Sequence, residues 1–257
     1  MARFAQRAAD PYPSIIILLS IFVAFVFSPI YAHSDPLWTL HFSLSLARGY
    51  WGDLLPVDAA ALIAADPGHA YAVTHMPDGR VLSILPAGTS ILLSPIVWFF
   101  DQVAHAWVNS VAATNARIPH KIFASAISAI SVLLLYRALL FRFSATVALA
   151  IVPVFAFATS MWSTASRALW SHDALILFIC LGLYLTFRPA SARMALLAGA
   201  SFAAAFAMRP TGAIALVAMG IVFVARGPKA VIAYCLGASV VGLLLIAFNM
   251  QVWGEII

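Results

Sequence analysis

The 257-residue chain is 64% hydrophobic and only 9% charged, with a mean hydropathy of +1.01. Soluble domains carry about a quarter charged residues, so an ordinary aqueous globule is excluded and lipid is the expected solvent. The formal charge of +5 comes from basic residues scattered singly or in pairs, with no stripe to follow a nucleic-acid backbone, so no nucleic-acid partner is expected.

Residues 1–10 are basic and precede an apolar run over 12–31, long enough to cross a hydrocarbon core. Arg3 and Arg7 place the N-terminus in the cytoplasm, and without a small-residue cleavage site the run reads as a retained anchor. Residues 32–119 hold six Asp, five His and three Arg, too polar for continuous membrane helix. They read as one large external loop with amphipathic helices. Asp35, Pro36 and Gly49 are suited to cap, start and stop a helix over 37–48, and Asp58 to cap another. Asp66-Pro67-Gly68 and Pro77-Asp78-Gly79 are turn sequences. The apolar stretch 81–100 is cut by Pro86, Gly88 and Pro95, and either crosses the membrane or lies partly in its interface.

Loop charges arbitrate, because Lys and Arg near span ends mark the cytoplasm. If 81–100 does not cross, the spans 120–136, 144–162, 169–187, 194–208, 210–225 and 230–248 put Arg137 with Arg142, Arg188 with Arg193, and Arg226 with Lys229 all inside. If it crosses, basic pairs move outside and the rule is broken. The expectation is a single all-α integral membrane domain of seven transmembrane helices, N-terminus in, with an external tail at 249–257. As one helix, residues 194–225 would reach about 48 Å at 1.5 Å per residue, so a break is expected at Arg209-Pro210-Thr211-Gly212. The small residues from Ala195 to Ala207 suit close helix packing. Cys180 and Cys235 lie in apolar runs and imply no disulfide.

Under this topology eight of the nine acidic residues and all seven histidines are external or at the outer membrane edge. Asp35, just past the first span, suits a helix cap and also a base that accepts a proton from a substrate hydroxyl. His69, His75 and Asp78, or His33, Asp35 and His41, offer nitrogen and carboxylate ligands for a divalent cation, although neither spacing matches a fixed metal motif. His172 and Asp173 open a span. An ionisable residue there is a functional-site candidate, the alternative being a side chain that snorkels to the interface. Arg209 is either an interfacial anchor or a fork for an anionic head group, and Arg117 and Lys121 offer the same chemistry at the second span.

The succession of a basic start, an apolar span, Ser34-Asp35, Asp78-Gly79-Arg80, Pro86-Ala87-Gly88-Thr89 and Pro95 resembles the N-terminal half of the lipid-carrier-dependent GT-C glycosyltransferases, relatives of protein O-mannosyltransferases and of the aminoarabinose transferase acting on lipid A. Leu169-Trp170-Ser171-His172-Asp173, Arg209-Pro210-Thr211-Gly212, and Asn249 with Trp253-Gly254 extend the likeness over nearly the whole chain. The resemblance implies a seven-helix module in the bacterial inner membrane, minimal or truncated relative to larger members. It implies a catalytic carboxylate at Asp35 and phosphate contacts from Arg117 and Arg209 to a polyprenyl-phosphate sugar donor; His172 and Asp173, read from their place at the start of a span, are the further substrate-binding candidates. The alternative is a GT-C-derived scaffold without activity, partnered by other membrane subunits.

Overall fold

The computed structural model describes residues 11–30, 35–57, 72–114 and 117–254. Helix α1 (Pro11–Val26) stops short of the expected 31 because Pro29 biases Ser28 out of helix, and Ser28 Oγ closes the end by donating to the Phe25 carbonyl. Helix α2 (Asp35–Ala47) follows, ended by Gly49 at φ +80°, a left-handed position that suits glycine. Strands β1 (Val73–His75) and β2 (Val81–Ser83) pair antiparallel, Thr74 opposite Leu82, around the turn read at Pro77-Asp78-Gly79. The capping role expected of Asp58, the turn at 66–68, His33, His69 and the side chain of Asp35 lie outside the described residues.

The hairpin corrects two expectations: the chain is not purely helical, and 81–100 is not one apolar element. Asp53 Oδ1 accepts from the Val81 amide, and the Leu54 amide donates to the Val81 carbonyl. These partners draw Val81–Ser83 into a ladder, so α3 (Gly88–Val103) begins only after Pro86. Helix α4 (His105–Thr114) then leads to α5 (Arg117–Leu139), α6 (Ala145–Phe157), a π-turn at Met161–Ala165, α7 (Ser171–Phe187) and α8 (Ala192–Met208). The expected break falls at a 3-10 turn, Pro210–Gly212, before α9 (Ala213–Val224). Helix α10 (Pro228–Trp253) continues through Asn249, correcting the tail expected at 249–257; nothing between Phe248 and Gly254 stops it, and Gly254 caps it at φ +75°.

The chain is thus mostly helical, and α5 and α10 are long and apolar enough to cross a membrane, with five shorter apolar helices beside them. At 1.5 Å per residue the 26 residues of α10 reach about 39 Å. Its Leu236, Val240, Leu243 and Leu244 are 56–66% exposed. A contiguous apolar face of this kind suits acyl chains rather than water.

Cross-links between distant residues show which helix ends meet. Arg137 Nη1 donates to Ser14 Oγ, and Arg142 lies over the Phe187 ring, so the end of α5 joins the start of α1 and the end of α7. At the opposite end Lys121 Nζ donates to Ser28 Oγ and to the Ser166 carbonyl, while Arg80 Nη1 donates to the Val252 carbonyl. Basic residues gather at the first end, and the α2–α4 region covers the second. Helices α8 and α10 touch backbone to backbone: a Cβ on Gly199 would collide with the Tyr234 carbonyl, and one on Gly237 with that of Leu196. Phe202 is fully buried beside Tyr234, which stacks on Phe223 at 4.7 Å. The small-residue run therefore packs as expected.

The covering layer has its own core of Trp38, Phe42, Leu54, Val81 and Leu93, continuous with Ala124 and Ile127 of α5. A charged latch fastens its outer helices. Arg48 donates from Nε and Nη2 to the two oxygens of Asp101 (2.9 and 2.7 Å) and from Nη2 to Asn109 Oδ1 (2.6 Å), and His105 Nδ1 lies 2.8 Å from Asp101 Oδ1. Hydrogen bonding from Arg48 holds the carboxyl of Asp101 below its ordinary range, against the opposing effect of burial.

Candidate functional site

Four chain segments converge beneath the covering layer, and hydrogen bonds from small hydroxyls align them. Thr39 Oγ1 of α2 donates to the Leu169 carbonyl ahead of α7, and Ser90 Oγ of α3 donates to the Thr39 carbonyl. Gly88 lets the start of α3 close on the end of α8, where a Cβ would come 2.5 Å from the Ala207 carbonyl oxygen. Between these segments lies a cavity of about 240 Å³ lined by Pro36, Thr39, Thr89, Trp170, Ser171 and Arg209, among others.

Arg209 is the cationic group of this cavity. Proline at 210 biases the preceding residue to extended backbone, and Arg209 adopts φ −158°, ψ 134°, between α8 and the 3-10 turn. Its Nη1 lies 3.4 Å from Ser171 Oγ and 2.7 and 3.1 Å from the two ring nitrogens of His172. A neutral imidazole accepts at one nitrogen only, so His172 takes one bond and leaves the rest of the guanidinium for another acceptor. Among the described residues no carboxylate pairs with Arg209. Asp35 begins α2 one residue before Pro36 of the lining, so the structure brings the chain at Asp35 into the neighbourhood of Arg209 and His172.

Asp173, next to His172, is 0% exposed, and neither carboxylate oxygen has a hydrogen-bond partner. It does not snorkel to an interface; packing at the start of α7 encloses it. Thr89 Oγ1 and Trp170 Nε1, on residues that line the cavity, are likewise buried without partners. Unpaired buried polar atoms cost stability; His120, Ser128 and Ser166, which do not line the cavity, carry such atoms as well. Thr89 and Trp170 belong to stretches that the resemblance singles out, but their polar atoms carry no sequence signal of their own.

Other expected residues lie elsewhere. Arg117 is exposed at the first turn of α5 and is not part of the cavity lining. Lys121 is corrected from a head-group ligand to an internal tie: its ammonium is buried and bound to Ser28 and Ser166. His75 is exposed on β1, and Asp78 is engaged by Arg80, whose amide and Nε donate to its carboxylate (3.1 and 2.7 Å) and hold its carboxyl below the usual range. Among the described residues no three His, Cys, Asp or Glu side chains gather to hold a metal ion.

A second hollow of about 440 Å³ shares Leu85, Pro86 and Pro210 with the first and runs past Phe206 and Leu245 to Asn249 and Trp253 of α10. The hollow at Arg209 has a mixed polar and apolar lining and shares a wall with a mainly apolar groove along α8 and α10. Comparison with protein-family models, with curated proteins and with solved structures finds no match.

Proposed function

We propose that the chain is a GT-C-like membrane glycosyltransferase that moves a sugar from a polyprenyl-phosphate carrier on the external face of a bacterial inner membrane. The observation that carries this reading is the Arg209 chamber, which Pro36 lines one residue after Asp35 and which shares Leu85, Pro86 and Pro210 with the apolar groove. In this reading seven helices span the membrane, with the basic end in the cytoplasm and the α2–α4 layer outside. The gathering of Arg137, Arg142, Arg188 and Arg226 at one end supports that orientation.

The chemistry is displacement at the anomeric carbon. An acceptor hydroxyl gives its proton to the Asp35 carboxylate as its oxygen bonds to the anomeric carbon. The bond from that carbon to the phosphate oxygen breaks, and the polyprenyl phosphate leaves with the electron pair. Arg209, steadied by His172, holds the phosphate, where a planar fork matches two phosphate oxygens. The isoprenoid tail lies in the groove between Phe206 and Trp253.

Asp35→Asn tests the assignment, because Asn serves at a helix start about as well as Asp but is not a base. Loss of general-base assistance costs about 10² to 10⁴ in rate. Transfer from a polyprenyl-phosphate-linked sugar by purified protein should fall by that factor while the unfolding temperature holds. An undiminished rate refutes the role of Asp35. A wild-type chain that transfers from no polyprenyl-linked sugar, and is recovered only with other membrane proteins, supports a scaffold instead.

A further inference from the structure

At the basic end, a hollow of about 250 Å³ opens between α7, α8, α9 and α10, and its rim carries Arg188, Arg226 and Lys229. We propose that this hollow binds the phosphate of an anionic membrane lipid, at a site separate from the donor chamber at the opposite end. Three cations face one space, and among the described residues no carboxylate lies against any of them. The guanidinium groups rest on aromatic faces, Arg188 over Tyr184 at 5.6 Å and Arg226 over Phe223 at 4.9 Å. Stacking fixes the planes of the forks without using their N–H donors.

The backbone adds to the same field. Helices α8 and α10, of 17 and 26 residues, both begin at this hollow, with Ser191 and Ala192 of one and Lys229 and Ala230 of the other in its lining. The first amides of α8 carry partial positive charge, whereas α10 begins with Pro228, which has no N–H, and its Ala230 amide donates to the Gly227 carbonyl, so there the axis dipole contributes more than free donors. Ser191 Oγ accepts only the Met194 amide. Partial burial and the neighbouring Arg142 lower the affinity of Arg226 for its proton.

The hollow favours a lipid over a soluble phosphate because of its walls. Leu185, Ala195 and Phe223 form its floor, and the adjoining helix flanks present Val224 and Ile232, 62% and 59% exposed. A phosphodiester seated on the cations thus has apolar surface along which its acyl chains can lie. Basic pockets between membrane helices on the cytoplasmic side bind anionic lipid head groups.

The test uses the full chain purified in detergent and does not depend on transfer activity. Native mass spectrometry and thermal unfolding are compared with added dioleoylphosphatidylglycerol, dioleoylphosphatidylcholine or inorganic phosphate. Retention of phosphatidylglycerol, and a higher unfolding temperature with it than with phosphatidylcholine, is expected. The Arg188→Gln, Arg226→Gln, Lys229→Gln triple variant should lose about tenfold or more of that retention. Arg193→Gln, which removes a charge outside the lining, should keep it. If the triple variant elutes as aggregate, the single substitutions are measured instead, and each should lose part of the retention. Equal retention of the two lipids, retention unchanged in the variants, or an equal loss in Arg193→Gln overturns the site. Stabilisation by inorganic phosphate with none by phosphatidylglycerol overturns the lipid assignment.

Discussion

Arg209 and Asp173 make opposite demands on the site. Arg209 brings charge and donors to a chamber with no carboxylate to match them among the described residues, so an anion gains there what the protein has left open. Arg209→Lys keeps the charge but loses the planar fork, and donor affinity measured by titration with a polyprenyl-phosphate sugar should fall about tenfold, near 1.4 kcal/mol. A Lys variant that binds as tightly as wild type would show that a point charge is enough. Asp173 is enclosed without a partner, and a buried unpaired polar group costs about 1 to 3 kcal/mol. Asp173→Val, similar in size and apolar, should therefore raise the unfolding temperature while lowering transfer. A destabilised variant with normal transfer would make Asp173 a packing residue.

At the level of elements, the charged latch decides how firmly the covering layer is held. Asp101 is 6% exposed and bound by Arg48, so Asp101→Asn should cost about 1.5 to 3 kcal/mol near neutral pH, the range for hydrogen bonds to charged groups. The sign with pH follows from the lowered carboxyl. The native form holds its proton less tightly than an ordinary carboxyl of 3.8, so the stabilisation is complete above that value and is lost as pH falls through the lowered one. Unfolding temperatures of wild type and variant should run parallel from neutral pH to mild acid and converge below it. The latch was not legible in the sequence, because Arg48 and Asp101 are 53 residues apart and neither carries a local pattern. The strand at Val81–Ser83 was hidden for a similar reason: Asp53, 28 residues upstream, supplies the partner that draws an apolar run into a hairpin. The turn at Asp78, the stop at Gly49 and the break at Pro210 were legible, because each rests on the backbone chemistry of one or two neighbouring residues.

For the whole molecule, the proposed topology puts the hairpin and the basic loops on opposite sides of one bilayer. In a background with Cys180 and Cys235 replaced by Ala, a cysteine at Pro77 should react with an impermeant maleimide from outside intact cells, and one at Arg193 only after permeabilisation. Reaction of both before permeabilisation would remove the seven-span arrangement. The sequence, read through the resemblance, placed Asp35 and Arg209 in one donor site; the chamber at Arg209 depends on the Gly88 contact and on hydroxyl bonds between segments up to 130 residues apart, which no local pattern announces.

The Arg80 to Val252 hydrogen bond joins residues 172 apart in the chain. At synthesis rates of about 5 to 20 residues per second, the hairpin leaves the ribosome roughly ten to thirty seconds before its anchor exists. During that interval the groove lacks the wall supplied by Leu245, Asn249 and Trp253. Helix α10 thus completes a hollow whose other wall, at residues 83–87, was made far earlier, and a nascent chain interrupted before α10 would leave that hollow open along one side.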